Sequence, residues 1–286
     1  MNYSVLIQNR KSVREFTDRE ISFSTLAKIG DYYQNAVRRL VPDIQTELQF
    51  FGSAAQGALE GAAGYHQFLV GAPQYLVLLS EQADQALENG GFIMEDMILK
   101  LTDLGLDSCW LTFTDSEEIK GSLGIASPMD VVAIVAFGYG VKTTKRLRLN
   151  IRSMSNVDVV AKHRYVEPKR SVYDMVFLNK WGNIHGLDTH IGFFDDMLWE
   201  AFYAASLSPS YLNRQAYGFV IHDEGISLVS RPDAYNTEID GKLSLGIVLH
   251  HFSSVAEHWA GKFRWDFGPV ALDLPEGHKV VATCRL

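Results

Sequence analysis

Two short stretches of this 286-residue chain carry residue types that could do chemistry. The first is Ser208, Pro209, Ser210, Tyr211, Leu212, Asn213, Arg214 and Gln215, followed after Ala216 and Tyr217 by the apolar run Gly218, Phe219, Val220 and Ile221. It reads as a helix end, a tight polar turn and a strand. Such a turn can offer backbone N–H groups and short polar side chains to a flat heteroaromatic ligand, or be a plain loop. The second stretch is Arg10, Lys11, Ser12, Val13 and Arg14, three cations around one hydroxyl in a chain of net charge −8. Guanidinium forks match phosphate oxygens bidentately and a hydroxyl adds a short bond, so this stretch suits a phosphate; the bland alternative is a solvated basic turn.

The elements that must position these residues follow from periodicity. Tyr3, Leu6 and Ile7 have helical spacing and end at the basic cluster; a second helix carries Leu26, Ile29 and Tyr33 behind a cap at Ser22 or Ser24. Residues 46–52 alternate as a strand. Phe68 to Pro73 lead into Gln74–Ser80, whose unbroken apolar character predicts a strand buried on both faces. Asn89 to Leu104 reads as a helix ended by Gly105, and residues 106–112 as an extended segment ending in Leu111 and Thr112. Ser116 is the expected cap of the next helix, and residues 131–137 run as a buried strand into a Gly-Tyr-Gly turn. Lys142, Lys145, Arg146, Arg148 and Arg152 suggest a basic linker between two halves. In the second half, Phe193 to Leu207 is the amphipathic helix that delivers the Ser208 turn, residues 217–222 and 225–230 form a hairpin, a helix follows Asp240, and residues 279–286 close as a strand.

Composition narrows the classes. With 47% hydrophobic and 21% charged residues the chain has ordinary globular character, and its acidic balance argues against a nucleic-acid partner. Neither a signal peptide nor a membrane span is expected, and Cys109 and Cys284 have no metal or redox spacing, which together predict a cytoplasmic location. His250 and His251 are adjacent and lack ligand spacing, so no metal site is expected. An internal repeat is visible as well. Gly91 and Gly246 each open an expected helix, and they lie 155 residues apart, as do Trp110 and Trp265; Gly105 and Gly261 lie 156 apart. Two related halves joined head to tail could form within one chain the interface that a single-half protein forms as a homodimer.

With these residues in place, the chain resembles the flavin-dependent nitroreductase superfamily, in a tandem fused form. Residues 10–14 look like the family's Arg-x-Ser-x-Arg element, and residues 208–215 look like its Pro-Ser-x-x-Asn-x-Gln-Pro-Trp turn, with Ala216 and Tyr217 in place of Pro-Trp. The run from Gly91 through Gly105 and Trp110 to Gly140 looks like its central helix, strand, helix and closing strand. Residues 34–66 match poorly. Lys169, Arg170, Ser171, Val172 and Tyr173 look either like a decayed second Arg-Ser element or like the family's late basic element. The fold this resemblance implies is α+β, with mixed, mainly antiparallel sheets flanked by helices. Two intertwined halves, residues 1–165 and 166–286, would form an internal pseudo-dimer.

The resemblance also implies function. The family builds each FMN site across a dimer interface; one copy of each motif, in opposite halves, implies one complete site. Arg10, Ser12 and Arg14, with Lys169 or Arg170, would face the phosphate. Lys11 would stand near N1 and O2 of the ring, and the backbone at Leu111 and Thr112 near its N5 edge. Ser208, Pro209, Ser210, Asn213 and Gln215 would complete the slot. No side chain is expected to act as acid or base, because the chemistry is the flavin's: NADH or NADPH reduces FMN, then a nitroaromatic, quinone or similar small acceptor takes its place, by ping-pong. The chain is expected to be a monomer or a homodimer. Two other readings stand beside this one: a non-catalytic flavin-binding or sensing protein with one remaining site, and a flavin-free structural relative.

Overall fold

The computed structural model of the protein describes residues 1–64, 69–142, 145–153, 156–163, 168–187 and 195–285. Phe68, Phe193 and the expected 165/166 boundary lie outside the described residues. The chain divides into two units: residues 9–167 form one, and residues 2–8 with 168–286 the other. The segment before the basic cluster therefore packs with the C-terminal part of the chain.

In the first unit, β1 (Thr46–Gly52), β2 (Gln74–Ser80), β3 (Asp107–Leu111) and β4 (Asp130–Gly138) form an antiparallel sheet in the order β1-β2-β4-β3. The central pair, β2 and β4, are the two unbroken apolar runs, and all but their first residues are buried. Strands flanked by neighbours and covered on both faces have no polar side to show, which is why their sequences do not alternate. The edge strand β1 does alternate weakly and stays partly exposed. Helix α2 (Phe23–Asn35) begins at Ser22, whose hydroxyl accepts the Thr25 N–H. A short α3 (Ala55–Leu59) fills the stretch after β1.

Helix α4 (Ala86–Asp103) starts three residues before the expected Asn89, so Gly91 lies inside it rather than at its start. The reason is local. Gln85, the residue before the helix, is left-handed at φ +63° and offers no side-chain cap, so no start signal is written there. Asn89 instead turns its amide oxygen to the Leu40 and Val41 N–H groups, at 3.0 Å each. Gly105 closes the helix at φ +75° as expected. Helix α5 (Ser116–Leu123) is capped by Asp115, not Ser116: the Asp115 carboxylate accepts from Glu117 and Glu118, while the Ser116 hydroxyl accepts from the Val131 N–H at 2.7 Å. The expected basic linker is a strand, β5 (Lys145–Ser153), paired antiparallel with β6 (Asn156–His163).

In the second unit, β7 (Val176–Leu178), β8 (Tyr217–His222), β9 (Gly225–Ser230), β10 (Trp265–Asp266) and β11 (Lys279–Cys284) form a sheet in the order β10-β11-β9-β8-β7. Only β7 pairs in parallel. Helix α6 (Asp195–Ser206) delivers the Ser208 turn, and α7 (Glu238–Ala260) is the long central helix. Thr237 caps α7 by accepting the Asp240 N–H, so the helix opens before Asp240 and Gly246 lies inside it. Phe202, Phe219 and Phe252 meet with ring centroids 5.2–5.3 Å apart and lock α6 and α7 to β8. Helix α1 (Tyr3–Asn9) joins this unit through Ser4, which donates to Glu200, and through the Tyr3 ring, 5.6 Å from that of His250. His250 and His251 are both buried, and His251 Nδ1 lies 3.0 Å from the Ala204 carbonyl oxygen.

Without β7, the two sheets have one topology: β1-β2-β4-β3 corresponds to β8-β9-β11-β10, with α4 and α7 in the same place in the connection. The likeness reaches detail. The Trp110 indole donates back to Glu95 on α4 at 3.0 Å, and the Trp265 indole to Ser253 on α7 at 2.8 Å. The register against the neighbouring strand skips the third residue of β4, Val132, and the third residue of β11, Val281. A bulge conserved in place is a built feature rather than an accident of either strand. The chain is thus α+β and made of two related halves. Among the described residues no helix is long and apolar enough to cross a membrane, and no group of acids, histidines and cysteines could hold a metal.

Candidate functional site

The basic stretch forms a corner on the free edge of β3. Ser12 bridges Ser108 in parallel, and the Val13 N–H donates to the Ser108 carbonyl at 2.9 Å. The chain then turns along the end of β4, where Thr17 donates to Tyr139 and the Val141 N–H to the Glu15 carbonyl. Gly140 makes that close approach possible. A Cβ there would meet Val13 Cγ1 at 2.8 Å and Asp107 Oδ2 at 2.7 Å, the same oxygen that accepts the Gly140 N–H.

Arg10 is held from behind. Its side chain is 8% exposed, and its Nε lies 3.6 Å from Oε1 of the wholly buried Glu95. The other Glu95 oxygen accepts the Trp110 indole N–H. Arg10 Nε makes no hydrogen bond although it is buried. Lys11, Ser12 and Arg14 are exposed, while Leu111 is buried and the Thr112 carbonyl accepts the Gly64 N–H at 2.7 Å. The nearby Cys109 thiol records the field of the corner: burial pushes it up, and the Arg14 and Arg10 guanidiniums oppose that shift. The structure therefore brings Arg10, Ser12, Arg14, Leu111 and Thr112 to one sheet edge. Glu95, which holds Arg10, was not singled out in the sequence, and Trp110 was singled out only for the repeat and the central run; the available signal is a wholly buried acid within α4.

The polar turn lies in the second unit at the entry to β8, tied to the strap 168–170. Lys169 Nζ donates to the Ser208 carbonyl at 2.8 Å and to Asn213 Oδ1 at 2.6 Å, and Asn213 Nδ2 donates to the Pro168 carbonyl at 2.6 Å. Gln215 is 1% exposed; its Oε1 accepts the Arg170 N–H, its Nε2 donates to Ser206, and its own N–H donates to the Ser210 hydroxyl. The amides of Asn213 and Gln215 thus hold the turn itself together. Leu212, Asn213 and Gln215 all have positive φ, +49°, +56° and +44°. Three non-glycine residues in that region cost on the order of 1–3 kcal/mol each, and such strain concentrates where a fold serves a ligand. Ser208 is fully buried, and its hydroxyl has no hydrogen-bond partner.

The segment 169–173 does not occupy the place that residues 10–14 occupy in the first unit. It runs through a short 3-10 turn at 172–174 into β7, which lines β8, whereas the strand corresponding to β3 is β10 at the far edge of the same sheet. Two further arginines that the sequence reading left aside, Arg214 and Arg231, flank the turn: Arg231 Nη2 donates to the Arg214 carbonyl at 3.2 Å and the Arg231 N–H to that of Ala216 at 3.0 Å.

Comparison with known proteins fits this architecture. Residues 3–179 match the family model described as "Putative TM nitroreductase". No curated protein matches the sequence. Among solved structures, a protein described as a putative nitroreductase from Thermotoga maritima superposes with a TM-score of 0.56 at 19% identity, over 93% of this chain and 89% of its own. A nitroreductase family protein from Clostridium novyi aligns over 50% of this chain and 87% of its own, at 20% identity and a TM-score of 0.44. An FMN-dependent nitroreductase from Clostridium difficile aligns over 48% of this chain and 87% of its own, at 21% identity and 0.42. The matched segment contains the whole first sheet, α4 and the Arg10 corner, and the chain belongs to this nitroreductase family, a family of oxidoreductases.

Proposed function

We propose that the protein is an FMN-dependent oxidoreductase that passes reducing equivalents from NADH or NADPH to a nitroaromatic, quinone or similar small acceptor. The observation that carries this reading is the Arg10 corner: a guanidinium pre-set by Glu95 and Trp110, with a buried Nε that no protein group satisfies, beside an exposed Ser12 hydroxyl and Arg14. A phosphate oxygen is the acceptor such a donor set lacks.

In this reading Arg10, Ser12 and Arg14 bind the flavin phosphate, aided by Lys169 or Arg170, and Lys11 supplies positive charge near N1 and O2. The Leu111–Thr112 backbone and residues Ser208, Pro209, Ser210, Asn213 and Gln215 shape the slot for the ring. The Ser208 hydroxyl, buried without a partner, gives that slot a polar atom with capacity to bond. Asn213 and Gln215 act by fixing the turn, since their amides already bond the strap 168–170 and Ser206. When bound, FMN supplies the two-electron chemistry; the protein orients it and excludes water. The two halves would meet as an internal pseudo-dimer holding one site, in a monomer or a homodimer, and the location expected is cytoplasmic.

Anaerobic mixing tests the reading. FMN-loaded protein should lose its flavin absorbance on addition of NADH or NADPH and regain it on addition of a quinone or nitroaromatic. A flavin that binds but never bleaches with either nucleotide would instead favour the non-catalytic flavin-binding or sensing protein.

A further inference from the structure

We propose that Arg170, Arg214 and Arg231 form a phosphate-class anion site in the second unit, taking inorganic phosphate or the phosphate of a nucleotide. The turn gathers all three. Gln215 accepts from the Arg170 N–H, Arg214 is its chain neighbour, and Arg231 donates to the carbonyls of Arg214 and Ala216. The carboxylate beside them is already engaged: Asp233 Oδ2 pairs with Arg214 Nε at 2.7 Å, Oδ1 accepts the Tyr235 N–H at 2.9 Å, and the Asp233 side chain is 4% exposed. Arg170 and Arg231 form no ion pair among the described residues. An excess of cations thus surrounds one turn, Arg214 on it, Arg170 on the strap and Arg231 just after β9, in a chain whose net charge is −8.

Two observations say that an anion belongs there. Arg231 Nε is buried and has no hydrogen-bond partner, so this donor is desolvated without a bond in return. The Arg231 guanidinium is also pushed below its ordinary range by burial first and then by Arg170, with Arg214 adding to this and Asp233 opposing it. Like charges held together in this way are stabilised by a bound dianion, and planar guanidinium forks match its oxygens. The proposal stands on the second unit alone. It shares Arg170 with the flavin reading but does not require it.

Full-length protein, freed of small molecules and kept at low salt, would be titrated calorimetrically with inorganic phosphate. Saturable binding is expected, weakened by about tenfold or more in R231Q and in R214Q as one charge-assisted bond is lost. R264Q, at an exposed position of the same unit, should leave it unchanged. D233N gives a test of opposite sign: removing the carboxylate should tighten phosphate binding, whereas mere damage to the turn would weaken it. Absence of saturable binding to the wild-type protein, or wild-type affinity in both R231Q and R214Q, overturns the proposal. Repeating the titration on FMN-loaded protein assigns the source: competition identifies the flavin phosphate as the occupant, and unchanged affinity a separate anion. Should the protein take no FMN, the flavin reading fails, while the phosphate titration still decides this one.

Discussion

The loops that enter the two sheets, residues 36–45 before β1 and residues 208–215 before β8, occupy one topological slot and are fastened in opposite ways. In the first unit the loop is tied down by its own central helix. Asn89 takes the Leu40 and Val41 N–H groups, and Asp96 takes the Arg38 N–H and the Tyr32 hydroxyl. No residue of that loop has positive φ. In the second unit the turn is held chiefly by a strap from outside the hairpin, residues 168–170, and by its own Gln215, with three strained residues in sequence order 212, 213 and 215. Tying to the helix fills the first slot with polar contacts. Holding the turn from the strap side leaves Ser208 Oγ unsatisfied and an arginine cluster at the surface. The Arg-Ser corner shows the converse asymmetry, since only β3 carries one. Two related halves have thus kept one topology and diverged at these corners, which the proposed function reads as a division of the ligand-binding features between them.

The largest effect that would break this comparison is expected at Arg10. R10A removes the guanidinium from beside the buried Glu95, which should cost about 3–5 kcal/mol in denaturant unfolding, and it should abolish flavin retention. A variant that unfolds like wild type and keeps its flavin removes the Arg10 corner from the account.

Next in size is a pH effect at Asp240 in the second unit. Burial pushes the Asp240 carboxyl up to about 6, against the opposing hydrogen bond from Thr237. The folded protein therefore holds this proton more tightly than the unfolded chain. The stability this group contributes is fully present below about pH 4 and is lost as pH rises through about 6, roughly 3 kcal/mol for this one group. D240N should flatten that segment of the profile of urea midpoint against pH. The first unit also buries an acid at the third position of its central helix, Glu88, but α4 has no side-chain cap like the one Thr237 gives α7.

Substitution of the two latches sharpens the contrast. Q215A removes bonds to Arg170 and Ser206, and N89A removes those to Leu40 and Val41; each should cost about 2 kcal/mol. Only Q215A should also weaken flavin binding, measured by fluorescence quenching of added FMN. The smallest stability change is expected for S208A, within about 0.5 kcal/mol, because the lost hydroxyl has no partner to leave behind. Its FMN affinity should nonetheless fall.

What the sequence made legible were the features written in local pattern. β1, β2, β8 and β9 fall at the expected residues, the Ser22 cap holds, and Gly105 closes α4. The misplaced boundaries share one cause. Asn89 and Ser116 looked like local helix signals, but each side chain reaches across the fold, to Leu40 and Val41 or to Val131. The repeat was visible in glycine and tryptophan spacing although both leading glycines lie inside their helices. The hold of Glu95 on Arg10 was not legible, because a partner 85 residues away leaves no periodic trace. The cluster of Arg170, Arg214 and Arg231 was hidden for the same reason: three residues distant in sequence meet only when β8, β9 and the strap assemble.

The most direct measurement is flavin stoichiometry: the purified full-length chain is saturated with FMN, desalted, and its flavin released and quantified against protein. The account predicts one FMN per chain, lost in R10A. A wild-type chain that neither carries nor takes up FMN would contradict it, and so would two per chain.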